Sequence, residues 1–333
     1  TGPTTRSGPQ DAPGNPPETL IARFEAEPSS PSESAGAASP PAWLPEPPLE
    51  PLRSFLERAG LPVPASFLHD PERGLDLLED VGHRTLLDVV DPDRLHLYRE
   101  ACRLIPRLQS LDATPEAIPA FGRVYDRALV RTKAWKWLHW AVPGLLGRPP
   151  TPDERAQVEG GFERIADDLA DAPRRLSHRD FKAENLHLVG DTATGPKLVM
   201  IDVQGAFLAP PEYDLVCLLN DVQTDLDEAL TSTLIEETLV SLPDPCPPEQ
   251  ARRRFDALAL MRLCKDVSHI VDAALNRGDR RRWHEIPRGL ALIDRAAQRL
   301  TNSFPEIREL TCVIHALTQA ARSADAESRG CSR

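Results

Sequence analysis

His178-Arg179-Asp180-Phe181-Lys182-Ala183-Glu184-Asn185 is the stretch that decides the reading of this chain, together with the residues 186–202 that follow it, LHLVGDTATGPKLVMID. The second segment reads as two short strands, 186–189 and 198–201, folded back around a GDTATG turn. Pairing 186 with 201 and 189 with 198 sets Asn185 opposite Asp202, roughly 5 Å apart at Cα. Two oxygen-bearing side chains at one end of a hairpin suit a hard cation such as Mg²⁺. Asp180 lies five residues before Asn185 and reaches the same space from the incoming loop. A carboxylate base beside a metal clamp is the pairing that phosphoryl transfer requires.

Outward from this point the chain changes character. Residues 1–17 carry turn residues and read as a tail, and 28–51 hold eight prolines and read as irregular. Between them TLIARF, 19–24, is a short strand. A helix is expected at 51–59, then a hairpin with strands near 65–69 and 75–79. From about residue 84 the apolar spacing is helical, with segments near 121–139, 152–171, 213–222, 225–241, 249–276, 281–300 and 306–321. Only 186–202 looks β in this half. The expected fold class is α+β: a small β-containing part over 1–80 and a large helical part over 81–333.

Composition narrows the class. The 333 residues are 41% hydrophobic and 27% charged, ordinary for a globular chain. The formal charge of −12 argues against nucleic acid or an anionic membrane as a general partner, and no apolar run is long enough to span a bilayer. Six cysteines form no C-x-x-C pair. Cys102, Cys217, Cys264 and Cys312 fall in apolar periodic runs and read as buried thiols of a reducing, cytoplasmic compartment.

The run 178–185 resembles the kinase catalytic loop H-R-D-L-x-x-x-N, with Phe181 in place of Leu. Asp202 is followed by Val203-Gln204-Gly205 rather than Phe-Gly. Asp214 follows only twelve positions later, which leaves no room for a protein-kinase activation segment. HRDFxxxNL, then IDxQ, then PxxYDLVxLLxD is similar to the aminoglycoside phosphotransferase/choline kinase-like superfamily. Within it the chain most resembles the cell-wall-recycling kinases of N-acetylmuramate and N-acetylglucosamine, over roughly residues 50–310. That resemblance implies a two-lobed, protein-kinase-like fold with a truncated or degenerate N-lobe. It implies ATP and Mg²⁺ as cofactors and a small-molecule hydroxyl as acceptor. Carried over residue by residue, it makes Asp180 the catalytic base and Asn185 and Asp202 the Mg²⁺ ligands. Glu79, Asp80 and Val81 become the hinge that meets adenine, and His178 and Asp214 the supports of the loop.

Three departures accompany the match. No lysine precedes Lys133, so Arg23 of the TLIARF strand or Lys182, two after the base, takes over the phosphate contact. The phosphate-covering loop is either a remnant at Thr1–Arg6 or lies upstream of Thr1. Gly205 and the pair Ala183-Glu184 differ from the family pattern beside the acceptor. Two alternatives stay open: an aminoglycoside-, choline- or homoserine-type kinase, with Glu184, Asp221 and Asp225 forming an acidic cleft, or a pseudokinase. Trp135, Trp137 and Trp140 either wall a sugar site or pack between lobes.

Overall fold

A computed structural model describes residues 19–24, 46–190 and 195–330, with side chains to 321. In chain order the elements are β1 (Leu20–Phe24), α1 (Leu49–Arg58), β2 (Ser66–Asp70), β3 (Leu75–Glu79), α2 (Arg94–Gln109) and α3 (Arg127–Lys136). A π-helical turn, Trp137–Ala141, leads into α4 (Val142–Leu146), α5 (Pro152–Ala170), β4 (Arg175–Ser177), β5 (Leu186–Val189) and β6 (Lys197–Met200). The chain continues through β7 (Phe207–Ala209), α6 (Tyr213–Leu219), α7 (Glu228–Leu239), α8 (Pro248–Asn276), α9 (Ile286–Leu300) and α10 (Pro305–Gly330). The result is the expected α+β arrangement, a small sheet region followed by a mostly helical remainder.

Strands β1 and β2 flank β3 in an antiparallel sheet of order β1-β3-β2. Helix boundaries follow local chemistry. Thr151 caps α5 by accepting from the Glu154 N–H while Glu154 reaches back to the Thr151 N–H, with Pro152 at the first helical position. Asp126 and Asp227 cap α3 and α7 in the same manner, from the Leu129 and Leu230 N–H groups.

The helical core is built around α8, where Phe255, Leu258, Leu260, Met261, Leu263, Cys264, Val267 and Val271 are fully buried. Burial on so many sides leaves no wide polar face, so the polar residues of this helix stand out. The approach of α9 is close: a Cβ on Gly289 would lie 2.6 Å from the Val267 Cγ2, so a larger residue there forces the helices apart.

Four expectations are corrected. The β5–β6 register pairs Leu186 with Met200 and Val189 with Lys197, one residue away from the expected 186–201 pairing. A one-residue slip exchanges the two faces of a strand. The observed register puts the buried Leu186 and Leu188 beside the buried Met200 and Leu198, which the expected one does not. Asn185 is therefore opposite Ile201, whose N–H it receives at 3.0 Å, and Asp202 stands one residue further on. Second, β4 and β7 form an additional antiparallel pair, Ser177 with Phe207 and Arg175 with Ala209, too short for alternation to reveal. Third, α1 begins at Leu49, inside the Pro-rich stretch read as irregular. Fourth, Cys312 is exposed, whereas Cys102, Cys217 and Cys264 are buried. The tail 1–17, the Thr1–Arg6 remnant and turn positions 191–194 lie outside the described residues. Among the described residues no helix is long and apolar enough to cross a membrane.

Candidate active site

The loop 178–185 is fixed from three sides. Asp214, in the first turn of α6, is fully buried and accepts the backbone N–H groups of His178 at 2.7 Å and Arg179 at 3.1 Å. His178 is buried too, and its Nε2 lies 2.9 Å from the Ile201 carbonyl at the end of the hairpin. The Arg179 carbonyl accepts from Arg262 of α8 at 3.2 Å and from the Cys217 thiol at 3.3 Å. These contacts hold Arg179 at φ 81°, left-handed backbone that a non-glycine residue adopts at a cost of order 1 kcal/mol or more.

Asp180 emerges from that frame with its side chain about one-quarter exposed. Its Oδ1 receives the Arg262 guanidinium, at 3.4 and 3.5 Å, while among the described residues Oδ2 has only the Arg179 Nε, at 3.9 Å. Burial alone would raise the carboxyl. The fields of Lys265, Arg262, Arg179 and Lys182 overcome it and hold the group well below the usual carboxylate range. One oxygen is thus anchored, and the other is more weakly engaged.

Asn185 closes the loop. Its side-chain N–H donates to the Asp180 carbonyl at 2.8 Å and its backbone N–H to the Lys182 carbonyl at 2.9 Å. This fixes the amide orientation and leaves Oδ1 without a hydrogen-bond partner among the described residues. Asp202 also has left-handed backbone, φ 63°, which Asp tolerates, and it accepts from Gln204 at 2.6 Å. An amide oxygen and a carboxylate are the hard oxygen donors that Mg²⁺ takes, so the residues fit the ion. Among the described residues no group of three or more His, Cys, Asp or Glu gathers as a metal cluster.

The segment after β3 runs against the same hairpin. The Asp80 carboxylate accepts the Gly82 N–H at 2.9 Å, with Gly82 at φ +72°. The Gly82 carbonyl lies 2.8 Å from the His187 Nδ1, and the Leu188 N–H donates to the Arg84 carbonyl at 2.8 Å. Glu79 is committed to Ala65, accepting its N–H on the side chain at 3.1 Å and donating to its carbonyl at 2.8 Å. Val81 is buried, and its backbone N–H and C=O have no partner among the described residues. The two phosphate candidates are engaged elsewhere. Arg23 lies 3.3 Å from the buried Asp76, which also meets His69 at 2.7 Å, and Lys182 is ion-paired with Glu184.

Several residues at this site escaped the sequence. Arg262, Lys265 and Asp266 sit on α8, far along the chain from Asp180, and Asp266 joins Arg262 at 3.5 Å and Lys265 at 3.0 Å. The available signal was charge at 262, 265 and 266 within an otherwise apolar helix. Glu212 and Arg254, a buried pair at 2.7 Å that ties the start of α6 to α8, were missed for the same reason. Of the three tryptophans, Trp137 is core, while Trp135 and Trp140 are half-buried. Trp135 stacks on His139, and Trp140 meets His269 edge-on.

Residues 50–258 match the phosphotransferase enzyme family. The N-acetylmuramate/N-acetylglucosamine kinases of Pseudomonas aeruginosa and Pseudomonas putida are each 27% identical over 83% of this chain and 81% of their own. The kinase of the same name from Neisseria meningitidis is 24% identical over 73% of each chain. Among solved structures, a choline/ethanolamine kinase family protein from Mesorhizobium loti superposes with a TM-score of 0.50 at 16% identity, covering 80% of this chain and 81% of that one. The GDP complex of aminoglycoside 2'-phosphotransferase-IIIa also gives 0.50 at 16% identity, covering 74% and 79%. These two likenesses show the fold.

Proposed function

The chain belongs to the phosphotransferase enzyme family, and from that premise we propose that it transfers the γ-phosphoryl group of ATP to the anomeric hydroxyl of an amino sugar of the N-acetylmuramate/N-acetylglucosamine type. The observation that carries the reading is Asp180, a part-exposed carboxylate with Oδ1 held by Arg262 and its backbone carbonyl tied to the Asn185 side chain. Its Oδ2 orients the sugar hydroxyl in line with the phosphorus and takes the proton as the new O–P bond forms. A carboxylate this acidic is a weak base, which suits a loose transition state in which proton transfer comes late and positioning does most of the work.

Asn185 and Asp202 would hold Mg²⁺, which when bound neutralises charge on the phosphate oxygens. The unpartnered backbone groups of Val81 suit the edge of an adenine. Lys182 lies close enough to Asp180 to contribute to its field, and it reaches a phosphate oxygen on releasing Glu184.

The acceptor class rests on the names of the curated relatives and on charge. A cationic aminoglycoside or choline would need free carboxylates. Glu184 is paired with Lys182, Asp225 with Arg288 at 2.6 Å, and Asp221 is buried. The charges that act most strongly on Asp180 are the cations Lys265, Arg262, Arg179 and Lys182, which favours a neutral or anionic acceptor. The test is incubation with Mg-ATP and a panel of N-acetylmuramate, N-acetylglucosamine, kanamycin, choline and homoserine, read by ³¹P NMR. A sugar 1-phosphate supports the reading. Phosphorylation of a cationic acceptor alone, or nucleotide binding without any product, contradicts it.

A further inference from the structure

Beside the catalytic loop, α8 carries Arg262, Lys265, Asp266 and His269 at spacings of three and four, so they form one stripe along the helix. The stripe begins at Asp180, where Arg262 touches Oδ1, and runs two turns, about 10.5 Å, to His269. That is the order of length of a substituted pyranose. At its far end the Lys136 ammonium, on the last turn of α3, donates to the His269 Nε2 at 2.9 Å. Trp140 lies alongside, with its ring 5.5 Å from the His269 ring and 5.4 Å from the Lys136 Nζ. Trp140 comes from the π-helical turn, an insertion that re-aims side chains within a helix and recurs at functional sites.

The other cations of this patch have carboxylate partners: Arg262 has Asp180 and Asp266, Lys265 has Asp266, Lys182 has Glu184, and Arg179 has Glu46 at 2.8 Å. Lys133 is sealed in the core over the rings of Tyr125 and Tyr213. Lys136 is half-buried and, among the described residues, has no carboxylate within ion-pair distance, only an imidazole and an indole face. A half-buried ammonium without a counter-ion favours an anion that arrives with the ligand.

We infer that Lys136, with His269 and Trp140 beside it, forms the subsite for a carboxylate carried by the acceptor, an inference that rests on the amino-sugar reading above. Trp140 supplies an apolar wall for the ring substituent and Lys136 the charge. In N-acetylmuramate that carboxylate is the lactyl group, which N-acetylglucosamine lacks, so Lys136 is a specificity-determining residue for the acidic sugar.

The test is calorimetric titration of the full-length protein with N-acetylmuramate and N-acetylglucosamine, for the wild type, Lys136→Met and Lys136→Arg, with ATP affinity and Tm as checks on folding. The expected result is a preference for N-acetylmuramate of at least about tenfold, as a charge-assisted contact of 1.5–3 kcal/mol implies, lost in Lys136→Met and largely restored in Lys136→Arg. A wild-type protein without that preference, or a folded Lys136→Met that keeps it, overturns the subsite. Failure of the kinase reading shows separately: preference intact and lost on mutation, with no sugar phosphate formed.

Discussion

The Asp214 carboxylate receives the backbone N–H of His178 at 2.7 Å, so that a residue on α6 sets the start of the loop that carries Asp180. Its second oxygen receives the Arg179 N–H; the His178 contact is buried and the Arg179 contact part-buried. Burial pushes the Asp214 carboxyl up to about 7, against the pull of these two N–H groups and Arg262. Asp214 therefore fixes the backbone that leads into Asp180, and on the proposed reading it positions that carboxylate. Asp214→Ala leaves the buried His178 N–H without a partner, a loss of about 1–3 kcal/mol, and the part-buried Arg179 N–H adds a smaller one. The expected outcome is a lower Tm and a fall in kcat with the KM for ATP nearly unchanged, measured by thermal melts and steady-state kinetics.

Asp180→Asn keeps the shape and removes the acceptor for the hydroxyl proton. General-base contributions run to roughly 10²–10⁴-fold, so kcat should fall by that range while ATP binding is retained. An unchanged kcat would remove Asp180 from the reaction.

Asn185→Ala and Asp202→Ala should each raise the Mg²⁺ concentration needed for half-maximal activity, and chelation by EDTA should abolish turnover of the wild type. A Mg²⁺ titration of the variants measures this. Asn185→Ala carries an additional loss, because its side chain also donates to the Asp180 carbonyl.

The buried pair Arg254–Glu212 gives a stability prediction with no direct part in the chemistry. Both side chains are nearly inaccessible, at 5% and 1% exposure. Removing one partner strands the other charge in the core, so Arg254→Met should cost about 3–5 kcal/mol. Denaturant melts with a linear extrapolation give the number.

Acceptor preference should depend on pH through Lys136. Burial, then the neighbouring Lys265 and Arg179, bring its ammonium down to about 8, partly offset by Asp272 and Asp266. His269, the remaining contact, is held neutral by burial and by Lys265 and Lys136, at about 3. Below pH 8 Lys136 is charged and the carboxylated sugar is favoured. As pH rises through 8 the charge is lost. The ratio of kcat/KM for N-acetylmuramate to that for N-acetylglucosamine should decline between pH 7 and 9. A bound carboxylate favours the ammonium form, so any corresponding decline in kcat, which reports the complex, lies at higher pH.

Much of this was legible in the residues. The H-R-D-F-K-A-E-N run and the long apolar periods gave the fold class, because the loop is a contiguous motif and the helices are long. The hairpin was legible but its register was not. Both pairings satisfy turn chemistry, and only the burial of Leu186, Leu188, Leu198 and Met200 on a common face distinguishes them. Strands β4 and β7 are three residues each, below the length at which a period of two can be seen. The proposed acceptor side was hidden for a different reason: Lys136, Arg262, Lys265 and His269 come together through the packing of α3 on α8, a contact across more than a hundred positions with no local pattern.

The most direct test of the central claim is ³¹P NMR of the full-length protein with Mg-ATP and N-acetylmuramate, run beside Asp180→Asn. A sugar 1-phosphate that appears with the wild type and is lost with Asp180→Asn is the predicted result. Undiminished product in the mutant would contradict the role of Asp180, and no sugar phosphate from the wild type would contradict the assigned function.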